Sequence, residues 1–443
     1  MIEKDLRSYL QKMEEAGELL RIRKEVDRVK EASALLKQSV GKGKALLFEN
    51  LSDSSMPAVG NTMASRKWIV KALQCGEQSL ASWFTARTSN GIPPVLLESS
   101  SVKEVVEDSV DLSKLPIFTF YEKDGGPYIT GGIGIQKDPE TGKQNAGYYS
   151  LQLMGKNRLG LHMLEQTHGF EIFQKREKLG LPTEMAIAIG LHPIEMLAAA
   201  THTPLDEFEV AGSLRGEALE LVKCDGIDVD VPAHAEIILE GTILADEKEA
   251  EGPIGDWLGY YALVEDRHIL RIDRITTRKD PIYQSVMAGS AEENLLISVP
   301  RETDVLNAAK KVSPAVTKVS MDPFLPICII QINKTAEDEA MQVINTVLED
   351  VPFINICITV DEDVDIYNMN DVLWAVVTRS HFEEDVSVVS DLLGFARDPF
   401  GVYKSKLAID ATYPLEHGQH FQRAKLLNTD LNLDDYLEPV INN

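Results

Sequence analysis

Apolar residues recur at helical spacing near the start of the chain. Leu6, Tyr9, Leu10 and Met13 share one face of 3–16, which predicts an amphipathic helix. Leu19 to Ile22 and Ala45 to Phe48 then read as strands, and Ser65 to Leu73 as a second helix. From about Tyr128 the pattern becomes a series of short segments: Gly132 to Gln136, Gly147 to Met154, Ala186 to Gly190, Ala235 to Leu239 and Ile269 to Thr276. Turn clusters such as Asp138-Pro139-Glu140-Thr141-Gly142 separate them, a spacing that predicts an antiparallel sheet or small barrel. Helical inserts are expected at Gly169 to Lys178 and Pro193 to Ala200. After about residue 300 strand and helix alternate. Pro326 to Ile332, Phe353 to Val360 and Val386 to Val389 read as strands, with helices at Ala336 to Leu348 and Met369 to Thr378. This is the pattern of an α/β layer with crossover helices. The fold class is therefore α/β (α+β), divided at 1–115, 116–298 and 299–427. An acidic tail, 428–443, has helical spacing and is expected to pack on a neighbouring subunit.

Composition narrows the function. The 443 residues are 44% hydrophobic and 26% charged, as in a soluble globular protein with room for two or three domains. The formal net charge of −26 argues against nucleic-acid backbones and anionic membrane surfaces. An anionic ligand would then need a local receptor: a metal, a helix N-terminus or a chosen lysine. No apolar run approaches the roughly 18 residues of a membrane span, and the opening MIEKDLRSYLQKMEEAGELL is amphipathic rather than leader-like. Both features predict a cytoplasmic protein. The four cysteines show no CxxC or zinc-type spacing; Cys224, Cys328 and Cys357 sit in apolar runs and read as buried thiols. No phosphate loop is present, and Gly131-Gly132-Ile133-Gly134 is an isolated glycine cluster.

The chemistry-bearing segment is Glu251-Gly252-Pro253-Ile254-Gly255-Asp256. Proline and glycine exclude a helix interior, so two carboxylates flank a tight loop that can fold both toward one cavity. Two nearby carboxyls in unequal surroundings can hold one proton donor and one ionised partner. Taken alone, the hexapeptide also fits a solvated polar turn.

Longer runs add to this. GGIGIQKDPETGKQNAGYYSLQLMGKNRLGLHM (131–163), GSLRGEALELVKCDGIDVDVPAHAEIILEG (212–241), EGPIGDWLGYY (251–261), RKDPIYQ (278–284), VDEDVDIYNMNDVLWAVVTR (360–379) and KLAIDAT (406–412) together resemble the UbiD family of decarboxylases, in order and across most of the chain. The resemblance implies a flavin-reductase-like split β-barrel over 116–298, flanked by an N-terminal α/β region and a C-terminal α/β domain. It implies prenylated FMN as cofactor, made by a flavin prenyltransferase and held through a divalent cation, usually Mn2+, with K+ nearby. By position Asn145, His168 and Glu207 would be the metal ligands. An amide oxygen, an imidazole and a carboxylate suit such a cation. Without the resemblance, His168 reads as an ordinary hydrogen-bonded histidine and Glu207 as a loop carboxylate. Thr130, Tyr148, Tyr149, Ser150, His162, Met163, Leu164 and Thr167 would line the cofactor. Tyr148 and Tyr149 alternate faces, so one of them would touch it. Lys406 would reach the phosphate as a point charge.

The same resemblance assigns Asp256 as the proton donor and Glu251 as its partner acid. The second acid varies between Glu and Asp in the family. An arginine expected beside Glu251 is replaced by Ser150, which cannot pair a carboxylate bidentately. Arg158, His162 and His202 are the alternative donors. The reaction implied is reversible, non-oxidative decarboxylation of an aromatic or α,β-unsaturated acid by a homo-oligomer, dimer or hexamer. The arginine loss leaves two alternatives open: a subunit of a multi-protein carboxylase acting on a phosphorylated or thioester-activated aromatic, or a cofactor-holding subunit without turnover. The pair His417 and His420 lacks further ligands and reads as surface.

Overall fold

The computed structural model describes residues 3–76, 80–165, 167–321, 326–394, 401–424 and 436. The expected tail helix falls, apart from Tyr436, outside the described residues.

The first helix spans Leu6–Glu15, capped by Asp5, whose carboxylate accepts from the Ser8 N–H at 2.9 Å. Its buried face is the set Leu6, Tyr9, Leu10 and Met13. It packs on a four-stranded sheet in the order Leu19–Ile22, Ala45–Phe48, Ala58–Gly60 and Tyr283–Gln284. The last of these strands comes from the far end of the central region. Conversely, Val95–Leu97 pairs in parallel with Glu220–Lys223, so the N-terminal and central parts of the chain share sheets.

The centre is an antiparallel sheet curled into a half-barrel. Its strands lie in the order Tyr128–Ile129, Ser150–Leu153, Arg158–His162, Glu265–Thr277, Ile237–Glu251, Thr183–Ile189, Ile133–Lys137 and Gln144–Tyr148; Val105–Glu107 adds to Glu265–Thr277. Two expectations change here. Gly147 to Met154 is not one strand but two that break at Tyr149 and join opposite ends of the sheet. The segment expected at Ala235 to Leu239 runs on to Glu251. Ala245 to Ala250 are exposed, so no apolar alternation marks them as strand; the ladder with Glu265–Thr277 carries them. Glu251 then returns to the interior, 1% exposed.

The long helix Ala291–Val312 contains Pro300 and was not expected from sequence, because an internal proline normally ends a helix. The C-terminal sheet follows, in the order Val316–Ser320, Ile327–Ile332, Ile356–Val360, Tyr403–Ala411 and Val386–Leu393. Helices Glu339–Asp350 and Met369–Arg379 cover its two faces, each over its own apolar cluster. Cys224, Cys328 and Cys357 are buried free thiols, and His417 and His420 are exposed. No helix among the described residues is long and apolar enough to cross a membrane.

Candidate active site

Two helix N-termini converge on the strand that carries Asn145. Helix His168–Lys178 begins at His168, with Thr167 as cap. Helix Glu207–Arg215 begins at Glu207, with Asp206 as cap. Asp206 also accepts from the Gln144 N–H at 3.2 Å, and Glu207 Oε2 from the Ala146 N–H at 3.0 Å, which clips the second helix onto the strand on both sides of Asn145. Glu207 is thus a first-turn helix residue and not a loop carboxylate. The Asn145 side chain hydrogen-bonds Tyr149, and Tyr149 packs against the start of the other helix: a Cβ on Gly169 would lie 2.0 Å from its hydroxyl. Only glycine fits at that position. The His168 ring stacks on His202 at 6.1 Å, both on the exposed side.

The three expected ligands are therefore brought into one neighbourhood, with two helix dipoles aimed at it. Glu207 is 6% exposed, and burial pushes its carboxyl up to about 8. No lysine or arginine pairs with it among the described residues. Gln136, opposite Asn145 in register, has both amide atoms buried without a partner. A buried carboxyl without a counter-ion among the described residues, beside an amide oxygen and an imidazole, fits a divalent cation. Among the described residues no cluster of three His, Cys, Asp or Glu side chains is placed to hold a metal; the third donor here is an amide.

The second half of the site is the acid loop. Glu251 Oε1 accepts from the Tyr128 hydroxyl at 2.7 Å, and Oε2 lies 3.2 Å from His162 Nδ1. Arg267 Nη2 stands 3.4 Å from His162 Nε2. A guanidinium can only donate, so Nε2 accepts and the ring proton sits on Nδ1, facing Glu251. The imidazole is held in one tautomer between a cation and a buried acid. Gly252 has φ +105°, and its N–H donates to Gln152 Oε1 at 2.8 Å. The Gly255 N–H donates to Asp124 Oδ1 at 2.9 Å. Asp256, 9% exposed, accepts from the Leu258 N–H at 2.8 Å and donates its own N–H to Tyr260 O at 2.9 Å. Both acids thus project from a loop pinned at several points. Sequence reading missed Tyr128, Gln152 and Arg267, which have no local signal; they meet the loop only through the sheet.

The other expected residues divide. Ser150 lies directly opposite His162 in the strand register, beside the row that carries Arg267. The Thr130 hydroxyl donates to Val286 O at 2.5 Å. Met163 is core, and Leu164 O accepts from the Thr167 hydroxyl at 2.7 Å. The Tyr148 hydroxyl turns the other way, to Met196 O at 3.1 Å. Arg158 pairs with Glu247 and Glu249 on the exposed ribbon and is no substitute for the absent arginine. Lys406 is a correction. Its side chain is fully buried, and its ammonium donates to Leu348 O, Val351 O and Pro352 O at 2.9, 3.4 and 3.2 Å, capping helix Glu339–Asp350. Cationic side chains favour that helix end, so this lysine is not turned to a cofactor phosphate.

Comparison with known proteins agrees with this geometry. Residues 10–87, 95–291 and 294–411 match the N-terminal, Rift-related and C-terminal domain models of 3-octaprenyl-4-hydroxybenzoate carboxy-lyase. Anhydromevalonate phosphate decarboxylase of Methanothermobacter thermautotrophicus is 32% identical over 427 residues, covering 94% of this chain and 99% of the relative. The UbiD-class enzyme HmfF from Pelotomaculum thermopropionicum, solved with FMN, superposes with a TM-score of 0.95 at 36% identity, over 98% of this chain and 100% of the other. An evolved dimeric form of HmfF, solved with prFMN, gives 0.91 at 35% identity over the same shares. All three domain models fall in order along the sequence, and the chain belongs to the UbiD family of carboxy-lyases.

Proposed function

We propose that this protein removes, without net oxidation, the carboxylate of an α,β-unsaturated or aromatic acid, and that it uses prenylated FMN. The observation that carries this reading is that two buried acids, Glu251 and Asp256, sit at the two ends of one pinned loop in a chain that also gathers Asn145, His168 and Glu207. Those three residues would hold a divalent cation, Mn2+ by family habit and with K+ nearby, and through it the flavin phosphate. The bound cofactor would supply the electron sink that lets carbon dioxide leave.

The chain's own residues do the rest. Tyr128 and the Nδ1–H of His162 both donate to Glu251 and hold its carboxyl oriented. Asp256 delivers the proton that replaces the carboxylate at the substrate carbon, and the loop's backbone bonds keep its carboxyl in place. The decarboxylase relative names a phosphorylated acid, so a substrate with a second anionic group is the favoured class. A flavin prenyltransferase would supply the cofactor, and the working form would be a homo-oligomer.

Protein co-expressed with such a prenyltransferase should carry flavin and metal in stoichiometric amounts. It should release carbon dioxide from members of a panel of unsaturated and aromatic acids, and Asp256→Asn should abolish release while retaining flavin. Flavin-loaded protein that releases none from any acid would refute the proposal.

A further inference from the structure

Arg301 lies midway along helix Ala291–Val312, with its side chain 21% exposed. It makes no hydrogen bond among the described residues, and its Nε is buried without a partner. Among the described residues its charge is met only by Asp304, 3.8 Å away and one turn along the same helix, beyond hydrogen-bond range. A guanidinium with idle donors in a half-dry site is costly to hold, and one weak pair and one aromatic ring do not offset that cost.

Its neighbours connect the two halves of the site. The guanidinium carbon stands 3.7 Å from the centre of the Phe353 ring. Phe353 packs on Trp257 at 6.1 Å, and Trp257 follows Asp256 directly. On the other side Asp304 interacts with His202, whose ring stacks on His168. Arg301 therefore stands between the proton donor and the proposed metal ligands, with an aromatic wall beside it.

We infer that Arg301 binds an oxyanion at the far end of the substrate, away from the carboxylate that leaves, and that this oxyanion is a phosphate monoester. The inference rests on the decarboxylase reading and specifies its substrate class. The planar fork of donors matches phosphate oxygens bidentately. Phe353 and Trp257 offer an apolar surface along which an unsaturated carbon chain lies between its two charged ends. A protein of net charge −26 does not attract phosphate in general, so a placed cation is needed to receive one.

The test compares an α,β-unsaturated acid bearing a terminal phosphate with the same acid bearing a free hydroxyl, on flavin-loaded wild type, Arg301→Lys and Arg301→Met. Truncating one partner of a buried charge-assisted pair costs about 100-fold in such complexes. Arg301→Met should therefore lower kcat/KM for the phosphorylated acid about 100-fold more than for the hydroxyl acid, mainly through KM, with partial recovery in Arg301→Lys. Equal losses on both acids, or none, overturn the inference. Loss of flavin from Arg301→Met with equal effects on both acids would assign the anion to the cofactor and also overturn it. Should neither acid be turned over, calorimetric titration with the phosphorylated acid separates the two readings. Heat that disappears in Arg301→Met supports the subsite while the decarboxylase reading fails; coincident titrations refute the subsite.

Discussion

His162 Nδ1 stands 3.2 Å from Glu251 Oε2, and this one contact orders the acid half of the site, because the opposite ring nitrogen accepts from Arg267. Ser150 supplies no guanidinium to Glu251. The register row Ser150–His162 brings an imidazole to the carboxylate instead, with Arg267 one step further out.

If Arg267 fixes the His162 tautomer, Arg267→Met removes the only donor to Nε2 among the described residues. The ring nitrogens should then exchange protonation, visible as a shift of the His162 signals in 15N-detected histidine spectra. Arg267→Lys, which still donates, should restore the wild-type pattern. His162 signals that are the same in all three proteins would show that the tautomer is set elsewhere.

Installing an arginine at Ser150 places a second cation beside His162 and within the neighbourhood of Glu251. Ser150→Arg should raise turnover on simple aromatic acids relative to the wild type. No gain on any acid, with flavin content intact, would mean that the serine is not a specificity change.

Glu207 predicts a pH dependence of the metal-free protein. Its carboxyl has an ordinary value of 4.5 in the unfolded chain and is pushed up to about 8 by burial in the folded one. Between these limits the native state keeps a proton that the unfolded state has lost, so stability falls as pH rises from about 4.5 and levels off above about 8. The urea midpoint should drop across this window by the equivalent of up to about 5 kcal/mol. Glu207→Gln should flatten the slope, and a divalent cation should remove it. A flat profile in the metal-free wild type would contradict the assigned burial.

Lys406→Met separates capping from cofactor binding. Three carbonyls at the end of helix Glu339–Asp350 would lose their donor, at a cost of about 2–3 kcal/mol in denaturant unfolding. Flavin content after cofactor loading should stay at the wild-type level. Loss of flavin without loss of stability would return Lys406 to the phosphate.

Local pattern was enough for much of the framework. The face Leu6, Tyr9, Leu10 and Met13 is buried as its spacing predicts, and the glycine-proline loop does present two acids on one short turn. Such signals repeat every two or 3.6 residues and lie within a few positions of one another. The shared neighbourhood of Asn145, His168 and Glu207 was expected from resemblance alone, since Glu207 carries no helical signal that spacing could reveal.

What surrounds Glu251 was decided only by tertiary structure. Its partners lie 123 and 89 residues away in the chain, delivered by strands whose register no local pattern encodes. The same holds for Lys406, whose position in the sequence suited a phosphate but whose strand runs behind a helix end. It holds again for Arg301, which looks like any helical arginine until the fold sets it, without hydrogen bonds among the described residues, between Phe353 and the histidine pair. Periodicity reports which side of an element faces inward. Which charges meet there depends on how distant elements stack, a property of the packed sheet and not of any window of residues.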